Sequence, residues 1–340
     1  MVLLVAGAPE LDRHDTGRGH PERVERVRAA LAGLSDAGLQ DAVVHLEPRR
    51  ATFEELSRVH PVAYLEALRA FCEAGGGALD PDTEAGPGSW DTALLAAGAV
   101  LAAVDGLDAG AGDAAFVAAR PPGHHALPDR AMGFCLFNNV AVAAAVLAER
   151  GERVAVVDWD VHHGNGTQAV FWDDPRVLYV STHQWPLYPG TGALHETGGR
   201  RSPGTTINVP LPAGATGDVM LEAFDGLVAE AMEAFVPTWV LVSAGFDAHR
   251  ADPLAGLALS ASDFGALSRR VRGFVPGPGR VVAVLEGGYD LDAVRLSAGA
   301  TAAALLGVSY RPEPSTSDGP GAEVLAAVRS ARLEALGLGP

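Results

Sequence analysis

Six short apolar runs, none of them alternating with polar residues, recur along the chain: Ala115–Ala118, Val154–Asp158, Val177–Ser181, Ile207–Leu211, Trp239–Ser243 and Val281–Leu285. A strand with one wet face alternates; a strand covered on both faces reads as one continuous Val/Leu/Ala run. Between these runs lie segments of helical periodicity: Arg23–Leu34, Ser89–Val104, Asn138–Arg150, Val219–Phe235 and Ser262–Phe274. The alternation predicts an α/β fold with a central parallel sheet and helices on both faces. The chain has 340 residues, 48% of them hydrophobic, enough for one large core. It contains no internal repeat and no long linker, so a single domain over 1–340 is expected. After the loop "YRPEPSTSDGPGAEV" comes a last amphipathic helix near Ala322–Leu336, within a helical tail at about 321–337.

Glycine and proline gather where the apolar runs stop: "RPPGHHA", "HHGNG", "YPGTG", "SAGFDA" and "EGGYD". In open α/β sheets, ligands bind at the carboxyl ends of the strands. The stretch "VAVVDWDVHHGNGTQAVF" places Asp158, Asp160 and His162 two residues apart at such an end. Residues at i, i+2 and i+4 of an extended chain face one side. Two carboxylates and an imidazole then share a surface, and burying such a set is costly without a cation.

A further carboxylate, Asp247, follows a strand in "LVSAGFDAHRADP". With Asp160 and His162 it makes a set of three ligands, the number that leaves a catalytic metal an open position. The set is oxygen-rich for zinc, and Fe2+, Mn2+ or Co2+ also suit it. In "ARPPGHHALPDRAMGFCLFNN" the tandem His124 and His125 sit in a Gly/Pro turn, and histidine is the side chain suited to proton transfer at neutral pH. Asp158 and Asn165 are candidates to orient the two rings; a carboxylate partner raises a histidine's pKa and an amide does not. Tyr289, after the double glycine of "VLEGGYDLDAV", is a candidate donor to a developing oxyanion. Together these parts fit metal-assisted hydrolysis of a carbonyl compound.

Lys+Arg number 25 and Asp+Glu 42, a formal charge of -17. Phosphate contacts need clustered cations, so a nucleic-acid partner is not expected, whereas a cationic substrate would be attracted. Two cysteines make no disulfide framework. No signal-like N-terminus and no unbroken apolar stretch of membrane-spanning length is apparent, so a cytoplasmic protein without a membrane partner is expected.

The segments "HPERVERVRAAL", "ARPPGHHA", "MGFCLFNNVAVAA", "VDWDVHHGNGTQ", "VSTHQWPLYPGTG", "SAGFDAHRADPLAG" and "LEGGYD" resemble, in order, the histone deacetylase and acetylpolyamine amidohydrolase family, over most of the chain. "HHGNG" and "GFDAHRADPL" look like the class II branch and its bacterial relatives. The resemblance implies the arginase/deacetylase fold, with family motifs at about 14–290. It implies zinc on Asp160, His162 and Asp247, His125 as general base and acid, His124 as its electrostatic neighbour and Tyr289 as the transition-state tyrosine. It also implies a potassium ion at Asp158, Asp160, His162, Ser181 and Thr182. Phe134, beside Gly133, and Tyr188 match the walls of an acyl-lysine tunnel, Leu254 and Asp82 match its rim, and Arg23 is matched to an arginine of the acetate-release channel.

The substrate expected is an acylated lysine or another acetylated amine. An acetylpolyamine amidohydrolase is the alternative; against it, Leu254 is apolar where polyamine-specific members place a glutamate. A ureohydrolase would need a further aspartate after His162, which "DWDVHHG" lacks. A non-catalytic acyl-lysine binder would be expected to have lost the base or the tyrosine, yet His125 and Tyr289 are present. Oligomeric state is left open, a homodimer included.

Overall fold

The structure, a computed structural model, describes residues 1–7 and 13–339. Its main sheet has eight strands: β1 (Leu3–Ala6), β2 (Val43–Leu46), β5 (Ala114–Val117), β6 (Val154–Asp158), β7 (Val177–Gln184), β8 (Thr206–Leu211), β9 (Trp239–Ala244) and β10 (Val281–Leu285). Their order is β2-β1-β5-β10-β9-β6-β7-β8, and every pairing is parallel. A separate antiparallel pair, β3 (Gly77–Ala78) with β4 (Glu84–Ala85), holds the segment between them in a tight excursion.

The helices are α1 (Glu25–Asp36), α2 (Phe53–Leu56), α3 (Val62–Glu73), α4 (Ser89–Asp108), α5 (Asn139–Glu149), α6 (Asn165–Phe171), α7 (Gly217–Ala223), α8 (Ala229–Phe235), α9 (Ala261–Gly273), α10 (Leu291–Leu305) and α11 (Ala322–Ala335). They cover both faces of the sheet. Ala155 and Val157 of β6 join a core with α1, α9 and α10, while Val154 and Val156 join a second core with α4 and α5. The continuous apolar runs follow from this double coverage.

All six expected strands are present, each bound within three residues of its expected place. β1 and β2 are additional. The expected helix Val219–Phe235 is instead α7 and α8 joined by a π turn at Phe224–Val228, which buries Phe224, Leu227 and Val228. Also contrary to expectation, α4 is long and apolar enough to cross a membrane by length and composition; 72% of its apolar window is buried inside the fold. The tail helix α11 packs on the edge strand β8.

Candidate active site

The parallel pairing of β10, β9 and β6 brings the carboxyl ends of three central strands together. Asp158 closes β6 opposite Ser181 of β7 and Ser243 of β9. The backbone beyond β6 keeps its alternation: Trp159 and Val161 turn into the core, while Asp160 and His162 turn to the other side. Asp247 arrives from the loop after β9. Ligand atoms of Asp160, His162 and Asp247 all lie within 4.8 Å of one another. His162 Nδ1 is 3.1 Å from Asp160 Oδ1 and 3.2 Å from Asp247 Oδ2.

Main-chain amides fix the outer sides of these carboxylates. Gly287 N–H donates to Asp160 Oδ2 at 2.8 Å, and Val161 N–H to Asp247 Oδ1 at 2.8 Å. Gly287 is required there, because a Cβ would collide with Asp247 Oδ2. Burial pushes the Asp247 carboxyl up; in Asp160 the positive charges of His124 and His162 outweigh burial and hold it well down. Two wholly buried carboxylates and one imidazole converging at this range, with no lysine or arginine among them, fit one divalent cation.

The tandem histidines enter the same centre and stand in different company. Their rings are 4.0 Å apart. His124 Nδ1 is 3.0 Å from Asp158 Oδ2, and its Nε2 is 3.8 Å from Asp160 Oδ2. Burial opposes charge on this ring, but the carboxylates of Asp160 and Asp158 overcome it and lift the pKa to about 10. His125 Nδ1 donates to Asn165 Oδ1 at 2.8 Å. Burial and the charge of His124 push His125 well below the ordinary histidine range. One ring is thus held charged and its neighbour neutral, with Nε2 as the basic nitrogen of His125.

Tyr289 stands across from Phe134, with ring centroids 5.9 Å apart. Burial raises its phenol far above the usual value, so the hydroxyl stays protonated. Phe134 and Tyr188, expected as aromatic walls, both stand beside these groups: Tyr188 is 5.1 Å from His125, ring to ring. Gly133 lets the chain pass over His125, where any Cβ would press on the imidazole. At the mouth, Asp82 lies in the β3–β4 excursion; Thr83 Oγ1 donates to its carboxylate at 3.2 Å and accepts Phe134 N–H at 3.0 Å. Leu254 is exposed on the loop that follows Asp247. Ser181 and Thr182 lie buried beside Asp158 with hydroxyls already bonded, Ser181 Oγ to His183 Nδ1 at 2.8 Å and Thr182 Oγ1 to the Asp158 carbonyl at 3.5 Å.

The histone deacetylase domain matches residues 20–305. The chain belongs to the histone deacetylase family. A probable deacetylase of Archaeoglobus fulgidus is 39% identical over 297 residues, 86% of this chain and 82% of that protein. The histone deacetylase-like amidohydrolase of Pseudomonas aeruginosa is 44% identical over 277 residues, 80% and 73% of the two chains. The crystal structure of the HDA15 HD domain superposes with a TM-score of 0.89 at 35% identity, covering 97% of this chain and 96% of that one. As a histone deacetylase family member, the protein is a hydrolase acting on amide bonds, built on the arginase/deacetylase fold.

Within this candidate site, one sequence assignment shifts. Arg23 is exposed on the surface; the arginine that enters the site is Arg26, wholly buried. Arg26 Nε donates to the Gly288 carbonyl at 2.5 Å, its Nη1 to Glu22 Oε1 at 3.1 Å, and its guanidinium lies 5.0 Å from the Tyr289 ring centre. Helix α1 starts later than expected, and the helical turn swings Arg26, with Val27 and Ala30, inward. Asp252 also escaped sequence reasoning. Its Oδ2 accepts Tyr289 N–H at 2.6 Å and its Oδ1 accepts Leu254 N–H at 3.0 Å, tying the tyrosine loop to the rim loop. The "DP" that follows a candidate ligand was the available signal, since Asp before Pro marks a turn with main-chain amides to satisfy.

Proposed function

We propose that this protein is a zinc-dependent deacylase that removes an acetyl or other acyl group from an acyl-lysine side chain or a similar amine. The observation that carries the reading is the convergence of Asp160, His162 and Asp247 within 4.8 Å, beside a neutral His125 and a protonated Tyr289. Zinc held by those three residues supplies Lewis acidity towards an amide carbonyl and acidifies water; Fe2+, Mn2+ or Co2+ suit the same donors. His125 accepts the proton of the attacking water at Nε2, its tautomer set by Asn165. The resulting imidazolium gives that proton to the leaving amine nitrogen. His124, charged and held by Asp158, favours the negative charge that develops on the acyl oxygen. Tyr289 donates its hydroxyl proton in a hydrogen bond to the same oxygen. Phe134 and Tyr188 offer apolar faces to an aliphatic stem. Potassium is assigned to Asp158, Ser181 and Thr182 with Asp160 and His162.

A second reading, acetylpolyamine hydrolysis, draws support from the mouth. Asp80 and Asp82 lie side by side there, Asp82 N–H donating to Asp80 Oδ1 at 3.0 Å, and neither forms an ion pair among the described residues. The exposed, apolar Leu254 favours the lysine reading. A side-by-side rate assay of the zinc-loaded protein separates them, using an acetyl-lysine peptide, a longer acyl-lysine peptide, acetylspermidine and acetylputrescine. Preference for the peptides is expected; preference for the polyamines transfers the assignment to the second reading.

A further inference from the structure

Glu286 is the first residue beyond β10, and its side chain is wholly buried. Among the described residues its carboxylate is in no ion pair; Arg26 bonds to its main-chain carbonyl instead. The carboxylate is taken up elsewhere. Oε2 accepts the N–H of Gly123 at 2.6 Å and the N–H of His124 at 3.2 Å. Oε1 accepts the hydroxyl of Ser243 at 3.2 Å. Three donors thus converge on an acceptor-only group, so its burial is compensated.

The two amides belong to the turn that carries the tandem histidines. Pro121 and Pro122 offer no N–H there, so Gly123 and His124 are the first amides the turn can use. On its other side the turn is held by Asn139 at the start of α5, whose Nδ2 donates to the Pro121 carbonyl at 3.0 Å. Gly123 is wedged so closely that a Cβ would lie 2.5 Å from the Asn139 nitrogen. Neither amide is part of a helix or strand, and without Glu286 both would be buried and unpaired. Burial raises the Glu286 pKa to about 7 against the opposing charge of His124.

We propose that Glu286 is a positioning residue: it clamps the Gly123–His124 turn so that His124 meets Asp158 and His125 meets Asn165 in register with the metal ligands. The inference rests on the deacylase reading for its kinetic consequence, but not for its structural one. Glutamine at this position retains an oxygen for both amides and can donate to Ser243, whereas leucine of similar size retains nothing.

The test compares the zinc-loaded wild type, Glu286→Gln and Glu286→Leu. Glu286→Leu is expected to lower kcat at least about 100-fold, the scale of a misplacement near 1 Å, with KM changed less than about threefold. Glu286→Gln is expected to recover at least about tenfold of that loss, and both variants keep one metal per chain. Amide exchange at 123–124 is expected to be slow in the wild type and faster in Glu286→Leu. A Glu286→Leu kcat close to wild type, loss of metal in that variant, or no rescue by glutamine would each overturn the clamp. Fast exchange of those amides in the wild type would overturn it even if Glu286→Leu fails to fold, or if the wild type hydrolyses no amide supplied. In the last case, slow wild-type exchange upholds the clamp while the deacylase reading fails.

Discussion

The floor of the site and its mouth are built differently. On the floor, Asp158, Asp160 and Asp247 have no exposed surface, and His124 and His125 are 2% and 4% exposed. Each is fixed by bonds from other parts of the chain: Gly287 to Asp160, Val161 to Asp247, Asn165 to His125. At the mouth, Tyr188 is 36% and Leu254 41% exposed, beside the carboxylates of Asp80 and Asp82, which form no ion pair among the described residues. A buried polar group tolerates no loss of partners, whereas an exposed side chain exchanges one contact for water at little cost. On the proposed reading, the reaction belongs to the floor, and the choice of amine and acyl group to the rim.

That contrast is broken most directly at the base. His125→Ala is expected to reduce kcat on the order of 10³-fold with metal content unchanged; metal lost with the ring would make His125 a ligand. Tyr289→Phe follows, with an expected loss of about 10²–10³ in kcat, as for one oxyanion donor. An unchanged rate would remove the phenol from the reaction. Asp252→Ala leaves the amides of Tyr289 and Leu254 without their acceptor, and denaturant unfolding should register about 1–3 kcal/mol of lost stability. At the rim, Leu254→Ala should shift KM by no more than about tenfold with kcat nearly constant, the worth of a few exposed methylenes. A kcat effect at Leu254 as large as that at Tyr289 would erase the distinction between floor and rim.

A further expected effect is one of pH on stability. Burial lowers His14 and His60 to about 4 in the folded chain, against an ordinary 6.5. The unfolded chain takes up these protons first, so the contribution is present above pH 6.5 and is lost as pH falls towards 4. The melting temperature should decline across that window, and His60→Asn should flatten the decline; a midpoint constant from pH 7 to 4 would contradict it.

Much of the floor was legible in the sequence because its ligands come from one strand end at a spacing of two, with Asp247 after a neighbouring apolar run. The central strands were legible for the same reason that they are buried: both faces are covered. β1 and β2 were not, since "LLVA" and "VVHL" are four residues each and the second is half exposed. α10 was also missed, because its Ala-rich sequence carries little periodic contrast. Phe134, Tyr188 and Asp82 were reachable only through family resemblance; nothing local distinguishes them from ordinary loop residues. Glu286 and Arg26 act through main-chain groups far away in sequence, Glu286 on an amide 163 residues distant and Arg26 on a carbonyl 262 residues distant, and such bonds leave no local pattern.

The most direct test of the account is a metal titration of hydrolysis. The protein is stripped by chelation, then assayed on an acetyl-lysine peptide and acetylspermidine as zinc is restored. The account predicts no turnover without metal and full turnover at one equivalent, with a break in the curve there. Turnover by the stripped protein, or none of either amide by the fully loaded one, would contradict it.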